Sequence, residues 1–176
     1  MRRETKPDRT SLKARAKKIK MLLLDVDGVL TDGRIILDNA GNELKAFHVR
    51  DGHGIKLAQR AGIVIGIITG RKAEVVNVRA RELAIEEVHQ GALDKLAVYA
   101  GLLDKYGLRD EEVAFIGDDI VDAGILKRVG LAITVADCDP GIVPFADMRT
   151  GAAGGRGAVR EAINFILKSK GAYPSP

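Results

Sequence analysis

The sequence predicts an α/β protein with a doubly wound parallel sheet of Rossmann-like type, and its hydropathy pattern carries this prediction. Four short, almost wholly apolar runs are typical of parallel strands buried on both faces, and they cover residues 19–24, 63–68, 113–116 and 131–135. Segments with apolar residues at helical spacing lie between and after these runs. Strands that alternate with helices imply right-handed crossovers and a sheet covered by helices.

Three helices are predicted from apolar residues that recur on one face. These residues are Ala73, Val76, Ala80, Leu83 and Ala84 in the first helix, Leu93, Leu96, Ala97 and Ala100 in the second, and Val159, Ala162, Ile163, Ile166 and Leu167 in the third. Gly171 follows the third helix, with prolines beyond it, so this helix is expected to end there.

One segment breaks the alternation of strands and helices. Residues 34–37 and 43–49 are both strand-like, and the sequence between them, DNAGN, is typical of a tight turn. We therefore predict a β-hairpin insert over residues 34–49, directly after the first strand.

Length and charge suggest how the chain is organised. Its 176 residues fit a single domain, which we place at residues 19–170 with a short tail at 171–176. The net charge is +4, but residues 1–20 alone hold nine Lys or Arg and two acids. No aromatic residues are interleaved with these charges, so residues 1–18 are expected to be a basic, poorly ordered arm rather than a nucleic-acid surface.

Cysteine content and hydropathy bear on the compartment. The single cysteine, Cys138, has no partner within the chain for a disulfide, which suits a reducing, cytoplasmic setting. No apolar run approaches the length of a membrane span or a secretory signal. We expect neither a membrane nor a nucleic-acid partner.

Four polar clusters follow the predicted strands or begin helices. They are Asp25-Val-Asp27-Gly, Thr69-Gly70-Arg71, Lys95, and Gly117-Asp118-Asp119 with Asp122. In open α/β sheets the ligand crevice lies at the carboxyl ends of the strands, so the clusters are expected to converge.

The acids of these clusters predict a magnesium-dependent phosphoryl-transfer site. Asp25 and Asp27 are two residues apart, and strand periodicity turns them toward the same side, where their charges repel unless a cation intervenes. Mg²⁺ prefers such oxygen ligands, and Asp118 supplies another. We assign Asp25 as the nucleophile that forms an aspartyl-phosphate and Asp27 as the acid and base.

The remaining members of the clusters suit a phosphoryl group. Thr69 offers a hydroxyl, Gly70 a backbone N–H, and Lys95 a positive charge. Asp119 and Asp122 are expected to orient Lys95 or the waters on the metal. Taken singly, each cluster is most often a turn, a helix cap or a solvated charge, and only their joint occurrence in this order indicates a site.

Other readings of these motifs remain open. The chain has no phosphate-binding loop of the Gly-x-x-x-x-Gly-Lys-Ser/Thr type. A phosphate-receiving signalling domain also gathers acids, Thr and Lys, but there the lysine lies on a final strand, whereas Lys95 precedes Asp118 in a predicted helix. An inactive scaffold that binds a partner is a further alternative.

The four clusters, in this order, resemble the haloacid dehalogenase superfamily of phosphatases. Four segments narrow the resemblance to the 3-deoxy-D-manno-octulosonate 8-phosphate phosphatase family: residues 24–33 (LDVDGVLTDG), 45–52 (KAFHVRDG), 68–73 (ITGRKA) and 153–161 (AGGRGAVRE). The resemblance covers residues 19 to about 168 and leaves out the basic arm.

The resemblance implies a set of ligands. Metal would be held by Asp25, Asp118 and the backbone carbonyl of Asp27. Substrate would be contacted by Asp27, His48, Val49, Arg50, Asp51, Gly52, Lys56, Gly70, Arg71, Arg79 and Lys95. A sugar acid phosphate carries a carboxylate as well as a phosphate, and Arg suits either. Arg71 and Arg79 are eight apart, which would place them on one helical face.

The resemblance also implies an assembly and a pathway. Family members lack a separate cap domain and form tetramers through the inserted hairpins, so that neighbouring subunits close each site; which site Arg156 or Arg160 approaches is open. The alternative for the hairpin is a flap over its own site. The implied reaction belongs to lipopolysaccharide biosynthesis, and the nearest alternative substrate is a nine-carbon sugar acid 9-phosphate.

Overall fold

A six-stranded parallel sheet forms the centre of the computed structural model, which describes residues 9–174. The strands, with the hairpin pair included, are β1 (Met21–Leu24), β2 (Ile36–Leu37), β3 (Glu43–Leu44), β4 (Val64–Thr69), β5 (Glu87–Gln90), β6 (Val113–Gly117), β7 (Leu131–Thr134) and β8 (Met148–Arg149). The order across the sheet is β5-β4-β1-β6-β7-β8, and every neighbouring pair is parallel. The predicted doubly wound fold is confirmed.

The central strands match the sequence prediction, and the edge strands do not. All four apolar runs form strands, and β1 is buried along its whole length between β4 and β6. Strands β5 and β8 were not predicted, because the first reads Glu-Val-His-Gln and the second is only Met-Arg. Edge strands have one neighbour and can carry polar side chains, so they give no continuous apolar run.

In the described part of the chain, six α-helices pack against the sheet or extend its connections. They are α1 (Arg9–Lys18), α2 (Val49–Arg60), α3 (Glu74–Leu83), α4 (Lys95–Tyr106), α5 (Ala123–Leu126) and α6 (Ala158–Lys170). The apolar face predicted for α6 is fully buried, and Gly171 ends the helix in a left-handed conformation, with φ +68°.

Helix α4 exists as predicted but turns a different face to the core. Leu93 is 97% exposed and Leu96 37% exposed, whereas Tyr99 and Leu102 are buried. Lys95 also points inward and is 7% exposed. The predicted apolar face was therefore wrong, since spacing alone does not show that a lysine occupies the inner side.

Helix α2 replaces part of a predicted strand. Val49 was placed at the end of a strand, but it is the first residue of α2. Glycines within α2 obscure its period, and Gly54 has a packing role: a Cβ there would lie 3.3 Å from Arg160 Cα on α6. The small residue allows α2 and α6 to approach closely.

The inserted hairpin is present and short. Strands β2 and β3 pair antiparallel, with Ile36 opposite Leu44 and Leu37 opposite Glu43. The Asp38 carboxylate accepts the N–H groups of Ala40 and Asn42, each at 2.8 Å, and so closes the turn. The strands span two residues each, fewer than the predicted ranges.

Residues 9–18 form α1, whereas the sequence predicts a poorly ordered arm over residues 1–18. Ala16 is fully buried, and Arg15 donates hydrogen bonds to Asp147 (2.6 Å) and to the Gly130 carbonyl (2.5 Å). These contacts attach the helix to the domain. Residues 1–8 of the predicted arm, and residues 175–176 of the predicted tail, lie outside the described part. Within residues 9–174, no helix is both long and apolar enough to cross a membrane.

Candidate active site

The predicted polar clusters meet at one edge of the sheet, where β1, β4 and β6 end. They surround an open cavity of about 310 Å³. Its lining includes Asp25, Asp27, Thr69, Gly70, Arg71, Lys95, Asp118 and Asp119, with Ala92, Leu93 and Val121 as apolar members. The predicted convergence therefore occurs, because parallel strands bring their carboxyl ends to the same edge.

Asp25 is fixed immediately after β1. Its N–H donates to the Ile116 carbonyl (3.1 Å), which continues the pairing of β1 with β6. Its Oδ1 accepts the Val26 N–H at 2.7 Å, and its Oδ2 lies 3.1 Å from Lys95 Nζ. Burial, followed by the nearby Asp122 charge, raises the pKa of Asp25 to about 6.

Asp118 approaches the loop after β1 at a glycine. Gly28 has φ +90°, and a Cβ on it would lie 2.0 Å from Asp118 Oδ2, so only glycine fits there. Burial, and then the charges of Asp25 and Asp122, raise the pKa of Asp118 to about 8. Its Oδ1 is buried and has no hydrogen-bond partner.

Asp122 and Lys95 complete the buried part of the site. Asp122 is fully buried; its Oδ1 lies 2.7 Å from Lys95 Nζ, and its Oδ2 accepts the Asp118 N–H at 3.1 Å. Burial acts to lower the pKa of Lys95, but Asp25 and Asp122 outweigh it, and the pKa is raised. Lys95 is therefore a cation held between two acids. Asp119 instead uses its side chain to accept the Ile120 N–H, at 2.5 Å.

Three carboxylates of this site fit a divalent cation. Oxygens of Asp25, Asp118 and Asp122 all lie within 4.8 Å of one another. We call these three residues the aspartate cluster. The unpartnered Asp118 Oδ1 and the raised pKa values of Asp25 and Asp118 show that the cluster has more negative charge than Lys95 neutralises. A hard cation such as Mg²⁺ suits an all-oxygen donor set of this kind.

Thr69 and Gly70 line the same cavity as Asp25 and Asp118. Thr69 ends β4 and is 2% exposed, and its Oγ1 accepts the Arg71 N–H at 3.4 Å. A Cβ on Gly70 would meet no atom within 4 Å, so the space above this residue is open to a ligand. Both positions agree with their predicted phosphate-binding role, which stays a prediction.

Two residues at this edge were missed by sequence reasoning. Lys45 contacts Asp27 Oδ1 and lies 2.9 Å from Glu43 Oε1. The same Glu43 oxygen accepts a hydrogen bond from Arg71 Nη2 at 2.8 Å, and Arg71 Nε lies 3.6 Å from Asp27 Oδ2. Glu43 and Lys45 are two apart on an extended segment, which places them on one face, but nothing in that spacing indicates Asp27 as the partner.

The first part of the predicted substrate-binding set lies away from the cavity. His48, Val49, Arg50, Asp51 and Gly52 precede or begin α2 and do not line the cavity of this chain. Asp51 is 1% exposed, and its Oδ1 accepts the Arg160 N–H at 2.7 Å, so it caps the start of α6. A role for this segment in substrate binding stays a prediction.

Lys56 and Arg79 also have partners elsewhere. Lys56 Nζ donates to the Leu83 carbonyl at 2.6 Å. Arg79 pairs with Glu82 at 2.6 Å, and a Cβ on Gly52 would lie 2.4 Å from the Arg79 guanidinium, so this glycine makes room for it. The predicted helical face shared by Arg71 and Arg79 is wrong, because α3 begins only at Glu74.

The glycine-rich segment before α6 supports the loop after β1. A Cβ on Gly154 would lie 1.8 Å from the Gly28 carbonyl oxygen, and Gly155 donates its N–H to the Val29 carbonyl at 3.0 Å. Arg156 pairs with Asp32 of the same loop at 3.3 Å, whereas Arg160 donates to Asn164. This segment therefore holds the loop that carries Asp25 and Asp27.

Comparison with known proteins agrees with this geometry. A family model described as haloacid dehalogenase-like hydrolase matches residues 77–163. A protein of Escherichia coli (strain B / BL21-DE3) named 3-deoxy-D-manno-octulosonate 8-phosphate phosphatase is 47% identical over 165 residues, which cover 94% of this chain and 88% of the relative. The chain belongs to this phosphatase family.

Solved structures of the 3-deoxy-D-manno-octulosonate 8-phosphate phosphatase family have the same fold. The Yersinia pestis enzyme superposes with a TM-score of 0.91 at 44% identity, over 92% of this chain and 88% of that one. The Moraxella catarrhalis enzyme, in complex with magnesium, phosphate and a KDO molecule, gives a TM-score of 0.92 at 39% identity, over 94% and 95%. The resemblance stated from the sequence is thereby confirmed.

Proposed function

We propose that this protein is a Mg²⁺-dependent phosphatase that hydrolyses 3-deoxy-D-manno-octulosonate 8-phosphate to the sugar acid and inorganic phosphate. The observation that carries the proposal is the aspartate cluster at the cavity floor, in which Asp25 is fixed against Lys95 and Asp118 keeps an unpartnered oxygen. The substrate is proposed from the family and from the ligands named for the Moraxella catarrhalis relative.

Asp25 is placed to act as the nucleophile. Its carboxylate is held by the Val26 N–H on one oxygen and by Lys95 on the other, so it is fixed at the cavity floor. An oxygen of Asp25 attacks phosphorus, the bond from phosphorus to the sugar oxygen breaks, and an aspartyl-phosphate forms.

Asp27 is placed to move the protons. It lines the cavity two residues beyond Asp25 and gives a proton to the departing sugar oxygen. As a carboxylate it then takes a proton from water, whose oxygen attacks phosphorus and releases phosphate and the Asp25 carboxylate. The two steps leave both acids as they began.

The cavity lining supplies hydrogen-bond donors and a cation for the phosphoryl group. Thr69 supplies a hydroxyl, Gly70 a backbone N–H and Lys95 a cation, and these charges and dipoles stabilise the negative oxygens of the transition state. Arg71 is 44% exposed at the rim, where its guanidinium is placed to meet the carboxylate of a sugar acid.

The metal would be held by the carboxylates of Asp25 and Asp118 and the backbone carbonyl of Asp27, with Asp119 and Asp122 in support. When bound, Mg²⁺ neutralises the acids and the phosphate oxygens and so permits their approach. Asp122 fixes the Asp118 backbone through the N–H bond at 3.1 Å, which holds the ligand geometry in place.

The assembly and setting are also proposals. The hairpin exposes Ile35 (59%), Leu37 (60%) and Leu44 (55%), an apolar surface that suits association of hairpins in a homotetramer. Such an assembly would let His48–Gly52, Lys56 or Arg79 approach a neighbouring site. Light scattering tests the tetramer, since a monomer mass would reject it.

We further propose a cytoplasmic enzyme of lipopolysaccharide biosynthesis with neither nucleic-acid nor membrane partner.

The decisive experiment measures phosphate release from a panel of sugar phosphates with and without Mg²⁺. We expect the eight-carbon sugar acid 8-phosphate to have the highest kcat/KM, and chelation of Mg²⁺ to abolish turnover. A higher kcat/KM for a nine-carbon sugar acid 9-phosphate would show that the proposed eight-carbon substrate is wrong.

The variant that tests the mechanism is Asp25→Asn, which keeps the side-chain shape and removes the nucleophile. We expect activity at background and a circular dichroism spectrum like that of the wild type. Turnover comparable with the wild type in this variant would reject the aspartyl-phosphate mechanism.

A further inference from the structure

Lys45 is a buried cation at the active site that the mechanism above does not use. Its side chain is 1% exposed although it belongs to the hairpin insert, whose neighbouring Leu44 is 55% exposed. Nζ contacts Asp27 Oδ1 and lies 2.9 Å from Glu43 Oε1. Burial of a charged amine is costly unless its partners are well placed, and here both partners are carboxylates.

The contact distinguishes the two oxygens of Asp27. Oδ1 is engaged by Lys45, whereas Oδ2 has Arg71 Nε as a neighbour at 3.6 Å, which is beyond hydrogen-bond length. Oδ2 is therefore the oxygen left for a leaving group. With one oxygen tied to the hairpin, rotation of the carboxylate about its last bond is restricted.

Glu43 holds the amine in this position. Its Oε1 accepts from Lys45 at 2.9 Å and from Arg71 at 2.8 Å, and its side chain is 14% exposed. The hydrogen bond from Lys45 is the largest cause of a lowered pKa for Glu43, which agrees with a carboxylate that stays charged. The side chains of Asp27, Lys45, Glu43 and Arg71 therefore form a ring of ion pairs in which acids and cations alternate.

We propose that Lys45 is a positioning residue for Asp27, with Glu43 as its anchor, so that the hairpin orients the acid that protonates the leaving sugar oxygen. The inference deepens the proposed function and depends on it. In the step concerned, Asp25 attacks phosphorus, the bond to the sugar oxygen breaks, and the proton passes from Asp27 to that oxygen. Lys45 then faces the negative charge that appears on Asp27, without exchanging a proton itself.

Leaving groups of different basicity separate this role from a structural one. A sugar alkoxide is a poor leaving group and needs the proton, whereas 4-nitrophenolate leaves without one. The quantity to compare is kcat/KM, because it reports the steps up to departure of the leaving group and omits hydrolysis of the aspartyl-phosphate.

The test variant is Lys45→Met, which keeps an unbranched side chain and removes the charge. We expect kcat/KM for the sugar acid phosphate to fall about 10²-fold and that for 4-nitrophenyl phosphate to change less than about fivefold. Lys45→Arg should recover most of the loss. Equal losses on both substrates, or no loss on either, would overturn the inference.

Three further variants sharpen the result. Asp27→Asn should show the same dependence on the leaving group, and Lys45→Met should add little in that background, since both act on one step. Glu43→Gln replaces Lys45→Met in the test if the latter fails to fold. It should show a smaller loss of kcat/KM, again mainly for the sugar acid phosphate. Arg34→Met is the control: it removes a 64% exposed cation of the same hairpin insert and should leave kcat/KM unchanged for both substrates.

The outcomes separate this inference from the proposed function. If the wild type prefers another alkyl phosphate, the proposed substrate is wrong, and the comparison is made with the preferred compound. If the wild type hydrolyses no alkyl phosphate at all, both the function and the inference are rejected.

Discussion

Two buried acidic groups, at different places in the same sheet, have pKa values that are shifted in opposite directions, although burial acts to raise both. In the aspartate cluster, burial and neighbouring acids raise the pKa of Asp25 to about 6 and that of Asp118 to about 8. At the edge strand β5, burial also acts to raise the pKa of Glu87, but hydrogen bonds from Lys105, Tyr106 and His89 outweigh it and lower the pKa to about 2.

The difference lies in the neighbours of each carboxylate rather than in its exposure, because Asp25 is 6% and Glu87 5% exposed. Glu87 accepts from Lys105 (2.5 Å), from the Tyr106 hydroxyl (2.7 Å) and lies 3.0 Å from His89 Nε2. The aspartate cluster has one cation, Lys95, among three acids. A site that must accept a metal and a phosphate keeps charge unmatched, whereas a structural acid is fully paired.

Asp118→Asn tests the unmatched charge. We expect kcat/KM to fall by at least about 10²-fold, because a metal ligand is lost. In the presence of a chelator the melting temperature should stay level or rise, since the amide replaces a carboxyl group whose charged form is disfavoured by burial and the neighbouring acids. Activity assays and thermal unfolding measure the two effects, and Asp104→Asn, an exposed acid on α4, is the control.

Magnesium itself sharpens this test. Mg²⁺ should raise the melting temperature of the wild type, because a ligand that binds the folded state stabilises it. The melting temperature of Asp118→Asn should change little when Mg²⁺ is added. A large loss of stability in chelator for Asp118→Asn would show that the aspartate cluster supports the fold as Glu87 does, and the comparison would fail.

Glu87→Gln tests the paired acid. We expect unchanged kcat/KM and a loss of about 1–2 kcal/mol in the free energy of unfolding at pH 7, since Lys105 is 62% exposed and its pairing is partly screened. The folded-state pKa is about 2 and the ordinary value is 4.5, so the contribution of Glu87 is fully present above pH 4.5 and is lost as the pH falls towards 2.

Urea unfolding at pH 7 and pH 3 measures this dependence. The difference between wild type and Glu87→Gln should shrink at the lower pH. A constant difference across that range would mean that shape, rather than charge, is what Glu87 contributes.

Tyr106→Phe gives the smallest effect. The hydroxyl donates to Glu87 at 2.7 Å, and removal of one such bond should cost about 1 kcal/mol. The same bond raises the pKa of Tyr106 to about 12. Ultraviolet titration should therefore show that this pKa falls towards its ordinary value in Glu87→Gln, and an unmoved value would reject the pairing.

The chemistry of the site could be predicted from the sequence because its parts are tied to buried strands. Asp25, Thr69 and Asp118 each come at or just beyond the end of an apolar run, and Lys95 begins a helix, so the topology of a parallel sheet places them together. The family was also recognisable, since its motifs are contiguous and lie along most of the chain.

The contacts around Asp27 could not be predicted in the same way. Lys45 and Glu43 lie on a hairpin whose strands are two residues each, and its approach to the sheet is set by tertiary packing rather than by period. Strand β5 was missed for a related reason, because Glu87 is buried by pairing with distant side chains, and a polar residue alone gives no sign of such partners.

The glycine-rich turn before α6 has a consequence for how the enzyme matures during synthesis. Gly154 and Gly155 lie against the backbone of the loop that carries the nucleophile, and Lys170 near the chain end donates to the Lys17 and Ile19 carbonyls. Helices α1 and α6, which are far apart in the sequence, are thus neighbours. A nascent chain whose α6 has not yet left the ribosome lacks the support that Gly154 and Gly155 give to the loop after β1, so catalytic competence is expected only once α6 has emerged.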